Sequence, residues 1–188
     1  MAEPINALFG TDMAQTQAQP LSDTEKEEVY ASIMPFIQSL CEDQNLSTLA
    51  LMDLSVGVVH NAFPSYFWTG FYRRVGPEIL EVGPSQGTLG CSHIAFGKGV
   101  CGTVAQTGTT RIVDDVHAEP NHIACDSASR SEIVVPVFVK GQLAAVLDVD
   151  STLPAAFSET DKTALEQVCA WVGEALERRA LGGVIAFE

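Results

Sequence analysis

The sequence predicts an α+β domain in which an antiparallel sheet carries the terminal helices on one face and a loop excursion on the other. Three observations carry this. Apolar residues recur at helical spacing near both ends, at Val29, Ile33, Phe36, Ile37 and Leu40 and again at Leu165, Val168, Cys169, Val172 and Leu176. The middle of the chain is a set of short β-rich runs, of which 132–139 and 143–149, joined at Lys140-Gly141-Gln142, make the clearest hairpin. Between the runs, residues 114–131 form a long irregular stretch.

Taken in order, residues 1–21 read as a flexible leader, with little to bury and no sustained periodicity. The folded domain spans 22–180 and a short tail covers 181–188. Ser22, three residues before Glu25, makes a capping box for a first helix that Pro35 should kink or split. A second helix is expected over 47–63, with Leu51, Leu54, Val58 and Val59 as its apolar stripe and Pro64 beyond its end. The aromatic run 67–74 reads as a strand, Gly76-Pro77 as a turn, and 79–82 as the returning strand. A third strand is expected at 91–96. A glycine-flanked helix follows 97–102 and ends near Gly108, and 111–113 is a brief strand before the long loop. The last helix begins at Ser158, with Asp161 at its third position.

The chain has 188 residues, Lys+Arg 10 against Asp+Glu 24, and a formal net charge of −14. That acidity disfavours nucleic acid and anionic membrane surfaces as partners. A hydrophobic fraction of 46% with 18% charged residues supplies a sizeable core. Neither a membrane span nor a secretion signal is legible, so a cytoplasmic protein is expected. Five cysteines are odd in number and too few for a secreted disulfide scaffold, which makes their individual settings matter.

Cys41 and Cys169 fall on apolar helix faces and read as small hydrophobes. Cys91, Cys101 and Cys125 lie at a strand start, a helix start and in the long loop, where a thiol can be exposed. Cys101 falls in the first turn of its helix, whose positive end favours a thiolate. Asp126 beside Cys125 and Arg130 five residues on give no single direction for the Cys125 thiol, which could be a nucleophile or a resolving thiol. Asp148 and Asp150 alternate along an apolar strand and so share a face, where a carboxylate pair would hold one proton and could donate it. The alternative is that Asp150 only caps the strand end. Glu132 could join the pair, although a strand entrance is more often solvated. Trp68 and Tyr72, four apart, could wall a small-ligand pocket or simply pack in the core. His93, His117 and His122 with the three cysteines would allow a metal site, but they lack the short spacings of structural zinc sites, and metal binding ranks below thiol chemistry.

Several of these segments carry a resemblance: Gly97-Lys98-Gly99-Val100-Cys101-Gly102, Asp115-Val116-His117, the run from His122 to Pro136, Gly141, Leu147-Asp148-Val149-Asp150-Ser151, and Trp68-Thr69-Gly70-Phe71-Tyr72. Together they closely resemble the free methionine-(R)-sulfoxide reductases, a family of GAF-domain enzymes, over residues 22–178. The resemblance implies a single GAF-like domain in which a thiolate attacks the sulfoxide sulfur of free methionine-(R)-sulfoxide. Methionine and a Cys sulfenic acid result, and a second Cys closes a disulfide that thioredoxin reduces. Carried over by position, Cys125 matches the attacking thiol and Cys91 and Cys101 its resolving partners, with Cys101 as the alternative nucleophile. Glu132, Asp148 and Asp150 match the acids that bind substrate and protonate the leaving oxygen. Trp68 and Tyr72 match the wall around the sulfur methyl group, and Ser129 joins the substrate-binding set. No flavin, nicotinamide or metal cofactor is implied, and a homodimer is the expected assembly. The rival reading is a sensor module, since GAF domains elsewhere bind small ligands.

Overall fold

The computed structural model describes residues 19–119 and 127–181. Most of the expected leader and tail lies outside the described residues, as do His122, Cys125 and Asp126.

Helix α1 (Asp23–Glu42) starts on the capping box read from the sequence: Glu25 N–H donates to Ser22 Oγ at 3.4 Å, and Ser22 N–H to Glu25 Oε2 at 2.8 Å. Of the two expected outcomes, a kink or a split, the split does not occur: the helix runs on through Pro35. Pro35 lies on the exposed side, where water can satisfy the carbonyl it leaves without a donor, while Ile33 and Ile37 stay buried on the other side. Helix α2 (Thr48–Ala62) is capped by Ser47, whose Oγ accepts from Ala50 N–H at 3.2 Å, and it stops before Pro64.

Strands β1 (Tyr66–Gly76), β2 (Ile79–Gln86), β3 (His93–Ala95), β4 (Arg111–Val113), β5 (Ser131–Val139) and β6 (Gln142–Ser151) form one antiparallel sheet in the order β3-β2-β1-β6-β5-β4. Strands β1 and β2 run longer than the sequence suggested because they stay paired through a register shift at Gly70 to Tyr72. The central hairpin turns on Lys140 and Gly141 alone, with φ of 52° and 72°, the two-residue turn whose twist matches that of paired strands. Helix α3 (Gly99–Thr107) lies between β3 and β4, and helix α4 (Glu159–Leu181) ends the described chain. Among the described residues no helix is long and apolar enough to cross a membrane.

The alternation of β1, β5 and β6 divides the interior into two layers. On one face Phe71, Ile133, Val135, Leu147 and Val149 meet the apolar sides of α1, α2 and α4. On the other, Trp68, Tyr72, Val134 and Val146 meet Val100, Cys101 and Val104 of α3. The terminal helices thus share one face, as expected, and α3 with its flanking segments covers the other.

Polar groups buried in the helical layer fix the end of the sheet that matters. Lys26 Nζ reaches Asp161 Oδ2 at 2.5 Å and the Ala156 carbonyl at 2.7 Å, and the Tyr30 and Tyr66 hydroxyls donate to Asp161 Oδ1 at 3.0 and 3.2 Å. Lys26 and Asp161 are both buried, so their charges are held by partners in place of water. Tyr66 opens β1, and the network therefore ties α1 and α4 to the strand that carries Trp68. Replacing Lys26 with Met should cost about 3 kcal/mol by leaving a buried carboxylate without its cation. Urea denaturation checks this: the midpoint should fall with an unchanged slope.

Candidate active site

The site lies on the α3 face, where strand register gathers side chains that are far apart in sequence. Trp68 pairs with Asp150 across β1 and β6, and Asp150 with Glu132 across β6 and β5. One row across three strands therefore holds an indole and two carboxyl groups. In the next row of the same face Asp148 faces Gly70 on one side and Val134 on the other. Without a side chain at Gly70 the Trp68 indole lies over that position; a Cβ there would stand 2.5 Å from Cη2 of the ring. Trp68 and Tyr72 stack with centroids 5.5 Å apart and an interplanar angle of 26°.

These groups line a small cavity together with Cys101, Ser129, Phe67 and the segment around Gly90. Its volume is about 40 Å³. A water needs roughly 10–15 Å³ of such space, so the chamber admits a few waters or a small polar headgroup. The sequence singled out Trp68, Tyr72, Cys101, Ser129, Glu132, Asp148 and Asp150, and the fold brings all seven together. It missed Phe67 and Gly90; the signal available was the closely spaced pair Gly87 and Gly90 ahead of a strand start.

Both bland readings of the acids fail. Glu132 is not a solvated strand end but 5% exposed, and Asp150 does more than cap β6, since Ser129 Oγ donates to its Oδ1. Asp148 is 6% exposed. Burial first, then the negative charges of Asp148 and Asp150, push the Glu132 carboxyl well above its usual range. Burial and Asp150 do the same to Asp148. The cluster therefore holds protons where isolated carboxyl groups would have lost them.

Cys101 overturns the expectation of a thiolate at the helix start. Its sulfur is fully covered, lies 4.0 Å from Glu132 Oε1, and is pushed well above the ordinary thiol range by burial, then by Asp148 and Glu132. A helix N-terminus contributes up to about 2 kcal/mol. Full desolvation shifts a group by up to about 3–5 pKa units, so burial wins. Cys91 lies half-buried just ahead of β3 and is disulfide-bonded, whereas Cys41, Cys101 and Cys169 are free thiols. Ligand atoms of Cys101, Glu132 and Asp148 fall within 4.8 Å of one another, close enough to hold a small cation. The histidines that a metal site would have needed do not join them among the described residues: His93 is exposed against Glu81 at 3.3 Å, and His117 is exposed on a 3-10 turn.

Two buried atoms in the wall, Trp68 Nε1 and Asp148 Oδ1, have no hydrogen-bond partner among the described residues. Both residues line the chamber, and a buried donor and acid oxygen of this kind are what a polar ligand would satisfy.

The chain matches the GAF domain family over residues 26–176. It is 36% identical over 151 residues to the free methionine-R-sulfoxide reductase of Escherichia coli (strain K12), a match covering 80% of this chain and 90% of that protein. Identity is also 36%, over 154 residues, to the free methionine-R-sulfoxide reductase of Saccharomyces cerevisiae, covering 78% of this chain and 85% of the yeast protein. The X-ray structure of free methionine-R-sulfoxide reductase from Neisseria meningitidis in complex with its substrate superposes with a TM-score of 0.78 at 39% identity, over 88% of this chain and 99% of that one. With a GAF core, a thiol-and-carboxyl chamber and relatives of this kind along most of its length, the chain belongs to the GAF-domain family of free methionine-R-sulfoxide reductases.

Proposed function

We propose that this chain reduces free methionine-(R)-sulfoxide to methionine by thiol chemistry. The observation that carries the reading is the chamber itself: three acids and a stacked Trp68–Tyr72 wall surround one space, and two of the lining residues, Trp68 and Asp148, each bury a polar atom that has no hydrogen-bond partner among the described residues. Names borne by the relatives supply the substrate; the chamber supplies the chemistry.

A sulfoxide presents a polarised S–O bond, a methyl group and, in the free amino acid, an ammonium and a carboxylate. The aromatic wall suits the methyl group. An acid that keeps its proton at neutral pH can hydrogen-bond the sulfoxide oxygen and make the sulfur electrophilic, and the raised Glu132 and Asp148 carboxyls fit that task. Asp150, held by Ser129, suits the substrate amine. The Cys125 thiolate would attack sulfur while the acid's proton passes to the sulfoxide oxygen; that oxygen is then transferred to the Cys125 sulfur as its bond to the methionine sulfur breaks, so methionine leaves and Cys125 becomes a sulfenic acid. Attack by a second thiol then gives a disulfide and water. The disulfide-bonded state of Cys91 favours it as that second thiol. Burial and the high pKa of Cys101 favour a protonated S–H beside the acids over a nucleophile. Thioredoxin is the proposed reductant of the disulfide and a homodimer the proposed assembly, the latter checked by sedimentation.

Methionine release from the separate R and S forms of free methionine sulfoxide, and from a peptide containing the sulfoxide, tests the reading with dithiothreitol as reductant. Activity confined to the free R form is expected. No methionine from folded, reduced protein would return the domain to the sensor class. Cys125→Ser should abolish turnover with the circular dichroism spectrum intact; retained turnover would move the attack to Cys101.

Asp148→Asn should lower kcat by about 10²-fold, the lower end of what a positioned proton donor contributes. It should also stabilise the protein at neutral pH. Because the folded carboxyls of Asp148 and Glu132 lie above their ordinary values of 3.8 and 4.5, the native state binds more protons than the unfolded chain from about those values upward. Stability derived from these two groups is therefore full below that range and declines as pH rises through it. Thermal melts of wild type and Asp148→Asn across pH 4–9 check this, with a shallower decline expected in the variant.

A further inference from the structure

The acids and the wall account for binding and oxygen transfer, but nothing above explains what holds the second thiol in place. Cys91 belongs to a short segment between β2, which ends at Gln86, and β3, which starts at His93. The segment has no regular structure of its own, and Thr88 and Leu89 within it are exposed. It borders the pocket through Thr88, Leu89 and Gly90, and Gly90 is the residue pressed against the aromatic wall. A Cβ at Gly90 would stand 2.7 Å from the Tyr72 hydroxyl oxygen and 3.0 Å from Cζ2 of Trp68, so the chain presses on the aromatic wall with no room for a side chain. The same hydroxyl oxygen accepts a hydrogen bond from the backbone N–H of Cys91. Tyr72 itself is fixed, being 2% exposed and stacked on Trp68.

We propose that the Tyr72 hydroxyl and Gly90 are positioning residues for the disulfide-forming step, seating Cys91 at the pocket rim through its own backbone. The inference rests on the proposed reductase chemistry. In that step the Cys91 thiolate attacks the sulfenic sulfur left by the first turnover: an S–S bond forms, the S–O bond breaks, and the departing hydroxide takes up a proton to become water. The Cys91 sulfur is oxidised and the sulfenic sulfur reduced, so no further reagent is needed. Attack requires the incoming sulfur on a narrow line behind the S–O bond, and a glycine-containing segment does not hold that line without an anchor.

The pre-reduced full chain, mixed with free methionine-(R)-sulfoxide and no added reductant, separates the two half-reactions. Methionine reports oxygen transfer, and dimedone trapping followed by mass spectrometry reports how long the sulfenic acid survives. In Tyr72→Phe, which keeps the ring and removes the hydroxyl, the sulfenic acid should live about fivefold longer relative to the methionine-release time, the effect of losing one hydrogen bond. Gly90→Ala, which keeps the hydroxyl and displaces the segment, should lengthen it at least as much. Trp68→Phe should slow methionine release without that change in ratio. An unchanged ratio in both Tyr72→Phe and Gly90→Ala, with native circular dichroism, overturns the inference while leaving the reductase reading in place. No methionine from the wild type overturns the reductase reading and this inference with it.

Discussion

The pairing of β6 between β1 and β5 places Trp68, Asp150 and Glu132 in a single row and Asp148 one row away on the same face. A slip of one residue would turn both aspartates into the helical layer, against Phe71 and Ile133, where nothing could hydrogen-bond them. Register is therefore the constraint on which the chemistry depends, and the apolar face is what enforces it. Leu147 and Val149, which separate and precede the two acids along β6, are fully buried under α1, α2 and α4. The same strand cannot satisfy that layer in any other register.

The ends of these strands are held as firmly as their middles. Ser131 Oγ donates to the Leu153 carbonyl at 2.7 Å and accepts from Ala156 N–H at 3.2 Å, while Ser151 Oγ donates to the Ser65 carbonyl at 3.0 Å. Glu132 and Asp150 are the neighbours of these two serines along their strands. Fixed ends let a carboxyl cluster that is unfavourable in itself persist in one geometry. The Lys26–Asp161 pair completes the arrangement from behind, through Tyr66 at the first residue of β1.

Much of this was legible in the sequence because it is local or periodic. Capping at Ser22, the hairpin around Gly141 and the alternation of Asp148 and Asp150 follow from spacing alone. What could not be read is burial. Cys101 shows its position in the first turn of α3 but not the three acids that the fold brings against that turn, so its thiol was expected to ionise and instead keeps its proton. Pro35 shows a missing donor but not that its side of α1 faces water, so the split that its presence allows does not occur. Gly90 shows only its close spacing to Gly87, since its meaning lies in Tyr72 and Trp68, which are distant in sequence. In each case the deciding term comes from a neighbour supplied by another element.

The two-layered sheet also sorts the thiols. Cys41 and Cys169 lie within the helical layer, whereas Cys101 and Cys91 belong to the opposite side. Burial pushes the Cys41 thiol up to about 11 and the Cys169 thiol higher still, so neither offers an appreciable fraction of thiolate near neutral pH. Facing sheets and helices sit roughly 10 Å apart across a packed layer, far beyond sulfur–sulfur bonding distance. Under the proposed thiol chemistry the sheet would act as a redox partition: oxidising equivalents arriving on the α3 face would be kept from mispaired bridges with Cys41 and Cys169.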